Sequence, residues 1–340
     1  MSSIPANRYL RLTGTAYQVG YQLGEILQAT LGQDIDHYLK EGPLKFHETT
    51  AEKLSTGAMD WFSLLPRRFR TEMEGLADGS GVRLSRIAEW AFADSGGRPS
   101  CSAFLLRVKA DVWVGRNNDL WVPDLWGYAI RRQVTGRLAT LIFGMRGELF
   151  AATGLNQAGL WLHYNWLPPV NFPAAQDAWT PYVLLTEILE TCKDVDEAES
   201  RLESTNRTGG MLVFAADGNG NGAIFECSCT DIHRQDLNDT FLAGTNHYQY
   251  LSVPSNSPDE PPDSIERLTV LATKLNELPD LPTTEDLIRV LADPSVEQHR
   301  LDYGTVYANL YAPLTRQLWF TFGGFPAASR GNWQPIPWPF

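Results

Sequence analysis

Cysteine is scarce in this chain of 340 residues, and the few cysteines do not form a recognisable metal site. Four cysteines are too few for a disulfide framework in a chain of this length. Cys227 and Cys229 are separated by one residue, but no further Cys or His stands at the spacing of zinc ligands. We therefore expect no metal and no bound cofactor.

Clusters of basic residues and long apolar runs are also lacking. The chain has 40 acidic and 28 basic residues, a net charge of −12, whereas binding a phosphate backbone needs clustered Lys and Arg. No apolar stretch approaches the roughly 18 residues that span a membrane. The first residues lack the basic and then apolar regions of a secretory signal. We expect a cytoplasmic protein that binds neither nucleic acid nor a membrane.

The hydrophobic pattern changes at about one third of the chain. Residues 14–40 and 50–78 place apolar side chains at helical spacing, so the first hundred residues are predicted to be largely helical. Strand-like runs follow at 102–108, 138–143, 148–153, 160–164, 211–216, 223–227, 305–311 and 317–322, and helical patterns at 181–202, 264–278 and 284–291. Strands and helices alternate without a regular βαβ period, which predicts the α+β class.

Cys101 stands where the helical pattern gives way to strands. It precedes an apolar run that turns at residues 109–111 into a second run ending at Arg116 and Asp119. If the two runs form a hairpin, Arg116 and Asp119 return beside Cys101. Cleavage of the bond between Ser100 and Cys101 would then place a free α-amine on the residue that carries the thiol.

An α-amine and a thiol on one residue can act as base and nucleophile. Their reference pKa values, about 7.7–8.0 and about 8.5, are close enough for the two groups to share a proton. Arg116 would favour the thiolate, which is the attacking species. Asp119 would orient the ammonium group, as a carboxylate orients the base of a catalytic triad. The alternative is that Cys101 is a small buried apolar residue.

Several segments along the chain resemble one enzyme superfamily. They are residues 14–24, 72–79, 100–102, 115–119, 154–160, 164–166, 244–247 and 305–323. Together they resemble the N-terminal-nucleophile hydrolases of the choloylglycine hydrolase and penicillin V acylase type. They are most similar to the branch of acyl-coenzyme A:isopenicillin N (6-aminopenicillanic acid) acyltransferase.

The resemblance implies a fold and a maturation step. The fold is a four-layer αββα arrangement, with two stacked antiparallel sheets between helical layers. The chain is expected to form one domain over residues 1–340, self-cleaved into a helical prosegment, 1–100, and a catalytic part, 101–340. The two pieces are expected to stay associated, and further association into a homo-oligomer is left open.

The resemblance also implies an activity and its residues. Cys101, Arg116 and Asp119 would form the catalytic centre, and the side chains of Asn165 and Asn246 would donate hydrogen bonds to the oxyanion. The substrate would be a small N-acyl amide, cleaved through a thioester on the cysteine. Hydrolysis is preferred to acyl transfer, because no basic cluster near these motifs suggests coenzyme A binding.

Some assignments stay open at this point. The superfamily also has a late arginine near the site, for which Arg267 and Arg300 are both candidates. A non-catalytic, uncleaved binding protein is one alternative function, and a thiol hydrolase that pairs Cys101 with His163 or His247 is another. Tryptophans beside the candidate residues either pack the core or line an apolar pocket: Trp121, Trp126, Trp161 and Trp166.

Overall fold

The protein was analysed as a computed structural model, which describes residues 4–46, 48–172, 178–253 and 262–340. The helices are α1 Ala16–Leu27, α2 Leu31–Glu41, α3 Ala51–Leu64, α4 Arg67–Ser80, α5 Leu84–Ser95, α6 Pro181–Thr191, α7 Val195–Glu203, α8 Ser264–Asn276, α9 Thr284–Leu291 and α10 Ala327–Arg330. Within these ranges no helix is long and apolar enough to cross a membrane.

The strands fall into two sheets. They are β1 Tyr9–Gly14, β2 Ser102–Val108, β3 Asp111–Trp121, β4 Trp126–Val134, β5 Thr140–Met145, β6 Thr153–Asn156, β7 Trp161–Leu167, β8 Gly210–Ala216, β9 Gly222–Cys227, β10 Ile232–Asp236, β11 Phe241–Gly244, β12 Tyr303–Ala312, β13 Gln317–Thr321 and β14 Trp333–Pro335. One sheet has the order β11-β2-β3-β12-β13-β14, and the other runs from β1 through β4 to β10 in sequence order.

The predicted α+β class and the pair of stacked sheets are confirmed, with one correction to strand direction. Every pair in the six-stranded sheet is antiparallel. In the eight-stranded sheet, however, β1 runs parallel to β4. A parallel pair needs a long crossover, and here it contains five helices and the β2–β3 hairpin. The eight-stranded sheet thus has one parallel pair at this edge, where the resemblance implied antiparallel strands.

Aromatic and charged side chains fill the space between the sheets. Trp161 of β7 stacks on Tyr311 of β12, with ring centroids 5.3 Å apart. Arg116 of β3 donates across the same gap to the backbone carbonyl of Tyr164 on β7. On the outer face of the six-stranded sheet, the apolar sides of α8 and α9 pack in one cluster with Phe104 and Leu310. Helix α6 lies against β6 and β7 of the other sheet, where the side chain of Asn156 donates to the carbonyl of Leu189. Each sheet thus has helices against it, as a four-layer arrangement requires.

The first hundred residues are less uniformly helical than predicted. They contribute β1 in addition to five helices. Helices α1 and α4 pack backbone to backbone, because glycines stand at their contact. A Cβ atom on Gly75 would lie only 2.1 Å from the carbonyl oxygen of Tyr17, and one on Gly20 only 1.9 Å from that of Glu72. The two helices can approach this closely only with glycine at those positions.

Several predicted boundaries also need correction. The predicted strand at 148–153 is buried loop up to residue 152, and β6 starts at Thr153. The predicted helix at 181–202 is two helices, separated by residues 192–194. Helix α5 and strands β4, β10 and β11 were not predicted. Apolar periodicity alone does not separate a buried loop from a buried strand.

Candidate active site

The hairpin of β2 and β3 places Cys101 opposite the end of β3. Ser102 pairs with Asn117 and Ala103 with Arg116, so Cys101, one residue earlier, faces Asn118. The Nη2 atom of Arg116 lies 3.3 Å from the Cys101 sulfur, and Oδ1 of Asn118 lies 3.5 Å from it. The structure therefore brings Arg116 to the thiol, as the hairpin predicted, and adds Asn118.

Burial and charge act in opposite directions on this thiol. Cys101 is fully buried, and burial raises its pKa because a thiolate loses its hydration. The guanidinium of Arg116 lowers the pKa, while the carboxylate of Asp119 raises it. The net shift is upward, so the thiol form is favoured in the uncut chain.

Arg116 is held rigidly by oxygen atoms from both sheets. Its Nη1 donates to the carbonyl of Ala152 at 2.9 Å and to the hydroxyl of Thr153. Its Nη2 donates to the carbonyl of Tyr164 at 2.9 Å and to Oδ1 of Asn118 at 2.7 Å. None of these acceptors is a carboxylate, so the charge of Arg116 is directed at Cys101 without being neutralised by an ion pair in the described residues.

Asp119 is buried, with one carboxylate oxygen bonded and one not. Thr305 of β12 donates its hydroxyl to Oδ1 at 2.6 Å, whereas Oδ2 has no hydrogen-bond partner within the described residues. Burial raises the pKa of Asp119 from 3.8 to about 7, although Arg267 and Thr305 act to lower it. A buried carboxylate oxygen without a partner is costly, and this one is available to a cation.

Asn246 and Arg267 connect the nucleophile to the segment before it. The Nδ2 atom of Asn246 donates to the carbonyls of Pro99 and Trp166, each at 2.9 Å. Its Oδ1 accepts from Nη2 of Arg267 at 3.1 Å, and Nη1 of Arg267 donates to the backbone carbonyl of Cys101 at 2.8 Å. Asn246 therefore lies at the predicted site.

The choice between the two late arginines is settled by burial. Arg267 is 1% exposed and touches Cys101 directly. The side chain of Arg300 is 67% exposed and lies 3.8 Å from Asp263. Arg267 is therefore the arginine at this site.

Asn165 stands close to the site, but its amide faces a protein carbonyl. Its Nδ2 donates to Gly244 at 3.1 Å, and no hydrogen bond joins it to Cys101 in the described ranges. The residues on either side, Tyr164 and Trp166, present their backbone carbonyls to Arg116 and Asn246. The strand thus supports the site through its backbone as well.

Neither of the two candidate histidines, His163 and His247, is hydrogen-bonded to Cys101 in the part of the chain described. The Nδ1 atom of His163 accepts from the indole of Trp161, and burial holds its pKa well below the usual value. The Nδ1 atom of His247 lies 2.7 Å from the hydroxyl of Ser264. A cysteine–histidine pair therefore has no geometric support.

A cleft of about 390 Å³ opens beside the residue that precedes the nucleophile. It is lined by Lys45, Phe46, Ser100, Pro262, Asp263, Gln298, Arg300, Leu301, Asp302 and Tyr303. Phe46 stacks on Trp121, with ring centroids 5.6 Å apart. Of the four tryptophans, Trp121 thus backs a cleft residue, while Trp126 and Trp161 pack tyrosines between the sheets.

Sequence reasoning missed three residues at the site. Asn118 lies between two predicted residues, so its position in the hairpin was a usable signal. Thr305 and Tyr303 lie on β12, which pairs with β3 from almost 200 residues away, and local spacing carried no signal for them. In the described residues no group of three His, Cys, Asp or Glu side chains is placed to hold a metal.

Comparison with known proteins supports the resemblance. Protein dcd1B of Dictyostelium discoideum is 23% identical over 251 residues, covering 63% of this chain and 49% of that protein. The chain therefore spans about half the length of this curated relative.

Three solved structures are similar to parts of this chain at low sequence identity. An ortholog of N-acylethanolamine-hydrolyzing acid amidase from Caenorhabditis elegans is 15% identical, with a TM-score of 0.48, and covers 70% of this chain and 100% of that one. Penicillin V acylase from Agrobacterium tumefaciens is 15% identical, with a TM-score of 0.48, and covers 69% of this chain and 86% of that one. A mutant of conjugated bile acid hydrolase from Clostridium perfringens is 13% identical, with a TM-score of 0.45, and covers 70% and 96%.

A family match covers most of the chain. Residues 106–326 match the family described as acyl-coenzyme A:6-aminopenicillanic acid acyl-transferase. The match includes β3 with Arg116 and Asp119, the strand with Asn165, and the segment from Asn246 to Arg267. The chain belongs to the acyl-coenzyme A:6-aminopenicillanic acid acyl-transferase family.

Proposed function

We propose that the protein is an amidohydrolase that cleaves itself between Ser100 and Cys101 and then hydrolyses a linear N-acyl amide through a thioester. The observation that carries this proposal is the position of the Cys101 sulfur, 3.3 Å from a buried arginine that has no carboxylate partner among the described residues. Membership of an acyl-transferase family agrees with acyl chemistry at this sulfur.

The backbone before Cys101 is held as a reacting segment would be. Asn246 binds the carbonyl of Pro99, and the amide of Ser100 donates to the hydroxyl of Tyr303 at 2.9 Å. Arg267 binds the carbonyl of Cys101. Hydrogen bonds on both sides of the scissile bond restrict its motion and favour attack from one direction.

In self-cleavage, the Cys101 sulfur attacks the carbonyl carbon of Ser100. The carbon–sulfur bond forms, the bond from that carbon to the Cys101 nitrogen breaks, and the nitrogen takes the thiol proton to become an amine. Water then attacks the thioester and leaves a carboxylate on Ser100; one of its protons returns to the sulfur and the other goes to the new α-amine. No oxidant or cofactor enters this balance.

Cleavage changes the charge around Asp119. The new α-ammonium of Cys101 would lie near the unpartnered Oδ2 and would lower the pKa of Asp119 from about 7, because an opposite charge stabilises the carboxylate. The carboxylate would in turn orient the amine. Cleavage would thus give the Asp119 carboxylate an ion-pair partner, the α-ammonium of Cys101.

In turnover, the thiolate attacks the carbonyl carbon of the substrate, and the α-amine holds the thiol proton. Asn165 and the Asn246 N–H released by Pro99 would donate to the oxyanion. The carbon–nitrogen bond breaks, the leaving amine takes the proton, and a thioester remains on Cys101. Water resolves it to the acid. The cations lining the cleft, Lys45 and Arg300, lie beside acidic partners, which favours hydrolysis over binding of coenzyme A phosphates.

The two fragments are expected to remain together. Arg68 and Glu72 of α4 form a buried ion network with Arg132 of β4 and Glu190 of α6. Breaking a buried ion pair by removing one partner costs about 3–5 kcal/mol. Strand β1 adds backbone hydrogen bonds to β4. The interface would therefore hold without the peptide bond.

Two measurements on the purified protein test this function. Denaturing mass spectrometry should give one fragment ending at Ser100 and one beginning at Cys101, and native mass spectrometry should give their complex. The cleaved protein should release amine from at least one member of a panel of N-acyl amides, and Cys101→Ser should lower that turnover sharply. A chain that stays intact and inert would leave the uncleaved binding protein as the better description.

A further inference from the structure

We propose that the acyl half of the substrate is an α-amino acid residue whose nitrogen is acylated, so that an N–H group stands on the carbon next to the scissile carbonyl. This inference rests on the proposed function, because it concerns the substrate of the same site. It is drawn from the contacts that the protein makes with its own residue Ser100.

The N–H of Ser100 points at two acceptors. It lies 2.9 Å from the hydroxyl oxygen of Tyr303 and 3.2 Å from the backbone carbonyl oxygen of Asp119. In the proposed self-cleavage the carbonyl of Ser100 is the one attacked, so this N–H is on the α-carbon of the acyl group. A substrate attacked by the same sulfur places its own α-substituent here.

The hydroxyl of Tyr303 accepts a hydrogen bond from this position in the uncut chain. Its hydrogen is committed to the carbonyl of Asp119, at 3.1 Å. The ring is fixed by Trp121 and Phe46, with centroids 6.4 and 6.1 Å away. Once Ser100 has left, two oxygen acceptors converge on a space without a donor. An acyl chain with CH₂ at this point leaves the hydroxyl oxygen of Tyr303 without a donor, whereas an N–H satisfies it. The carbonyl of Asp119 still accepts from Tyr303 in either case.

The cleft gives the α-carbon room for a side chain. Ser100 lines the cleft of about 390 Å³, together with the apolar side chains of Phe46 and Leu301. The charged residues along the cleft form ion pairs. Lys45 lies 3.0 Å from Asp302, and Arg300 lies 3.8 Å from Asp263. A side chain larger than that of serine, without a net charge, therefore fits the chemistry of this cleft.

The test uses the self-cleaved protein and amides of one fluorogenic amine, 7-amino-4-methylcoumarin. The acyl groups are Nα-acetylalanyl, its isostere 2-methyl-4-oxopentanoyl in which CH₂ replaces the N–H, and alanyl with a free α-amine. We expect kcat/KM for the Nα-acetylalanyl amide to exceed that for the isostere by about tenfold, the effect of one hydrogen bond. A higher kcat/KM for the alanyl amide than for the Nα-acetylalanyl amide would overturn the acylated form of the inference.

A matched pair of variants assigns the effect to Tyr303. Tyr303→Phe should lower the ratio of the two kcat/KM values, because it removes the nearer acceptor and leaves only the Asp119 carbonyl at 3.2 Å. Tyr311→Phe should keep the ratio, because this tyrosine is on the same strand but donates to the carbonyl of Gly159. Rates are expressed per cleaved chain, counted by mass spectrometry, so that slower maturation of Tyr303→Phe does not enter the ratio.

The outcomes separate this inference from the proposed function. Equal kcat/KM for the amide and its isostere in the wild-type protein would overturn the inference alone, and that comparison needs no variant. A ratio that is unchanged in Tyr303→Phe would also overturn it. Absence of turnover with every amide, simple acyl amides included, would refute the proposed function and this inference with it.

Discussion

Replacing Asp119 with Asn should stabilise the uncut protein but abolish the amide turnover of the cleaved one. Asn keeps the shape of Asp and removes its charge. Burial raises the pKa of Asp119 from 3.8 to about 7, and each unit corresponds to about 1.4 kcal/mol. Ionising Asp119 in the uncut chain therefore costs on the order of 4 kcal/mol of folding free energy.

The sign of the pH dependence follows from the direction of the shift. The folded chain holds the Asp119 proton more tightly than the unfolded chain, so this contribution to stability is present in acid and is lost as the pH rises through about 7. In a Cys101→Ala background, which cannot cleave, Asp119→Asn should gain stability relative to Asp119 between about pH 5 and about pH 8. The gain should be roughly 3 kcal/mol.

Denaturant unfolding of the two proteins across this pH range measures the gain, and other titrating groups cancel in the difference. In the cleavable chain the same substitution should abolish amide turnover while circular dichroism stays native. A stability difference that does not change with pH would show that the pKa of Asp119 is not raised in the uncut protein. Wild-type turnover by Asp119→Asn would show that it does not orient the nucleophile.

Three further predictions concern other parts of the molecule. Cys192→Ser should change neither cleavage nor kcat, unlike Cys101→Ser, because the Cys192 sulfur is hydrogen-bonded to Thr191 and Glu197 at the end of α6, away from the site. Equal sensitivity of the two sites in thiol-alkylation assays would contradict this. Arg267→Met removes the donor to the carbonyl of Cys101 and should lower kcat by about 100-fold or more. A near-normal rate would show that turnover does not depend on this contact. Gly75→Ala should lower the free energy of unfolding by about 1–3 kcal/mol, because its Cβ would meet a carbonyl oxygen 2.1 Å away, whereas Gly32→Ala, with nothing nearer than 3.7 Å, should not.

The part of the site that lies in one hairpin was predictable from the sequence. The short turn determines which residues face each other, so Arg116 had to return to the neighbourhood of Cys101. The predicted turn at residues 109–111 is one residue shorter in the structure, because Val108 pairs with Asp111. The orientation of Asp119 was harder to predict from the sequence, because its hydrogen-bond partners Thr305 and Tyr303 lie on a distant strand. Its acidity likewise depends on burial by the whole fold.

Long-range features were predictable only through the resemblance to a family. The sequence around Arg267 and around Arg300 gives no sign of which arginine is buried. Only the packing of the folded chain shows that Arg267 is buried and Arg300 is exposed. Strand β1 was missed although Leu10 and Leu12 alternate with exposed residues, because the strand is short and its partner is more than a hundred residues away. Parallel pairing at such a distance leaves no local pattern.

The position of β1 has a consequence for how the protein can be produced. This strand covers the open edge of β4, and an uncovered sheet edge is a template for pairing with another chain. A chain that began at Cys101 would expose that edge along with the apolar faces that α1 and α4 cover. The first hundred residues would then protect the protein from aggregation both before and after cleavage. A catalytic part expressed alone would be expected to form insoluble assemblies unless the missing strand is supplied in trans.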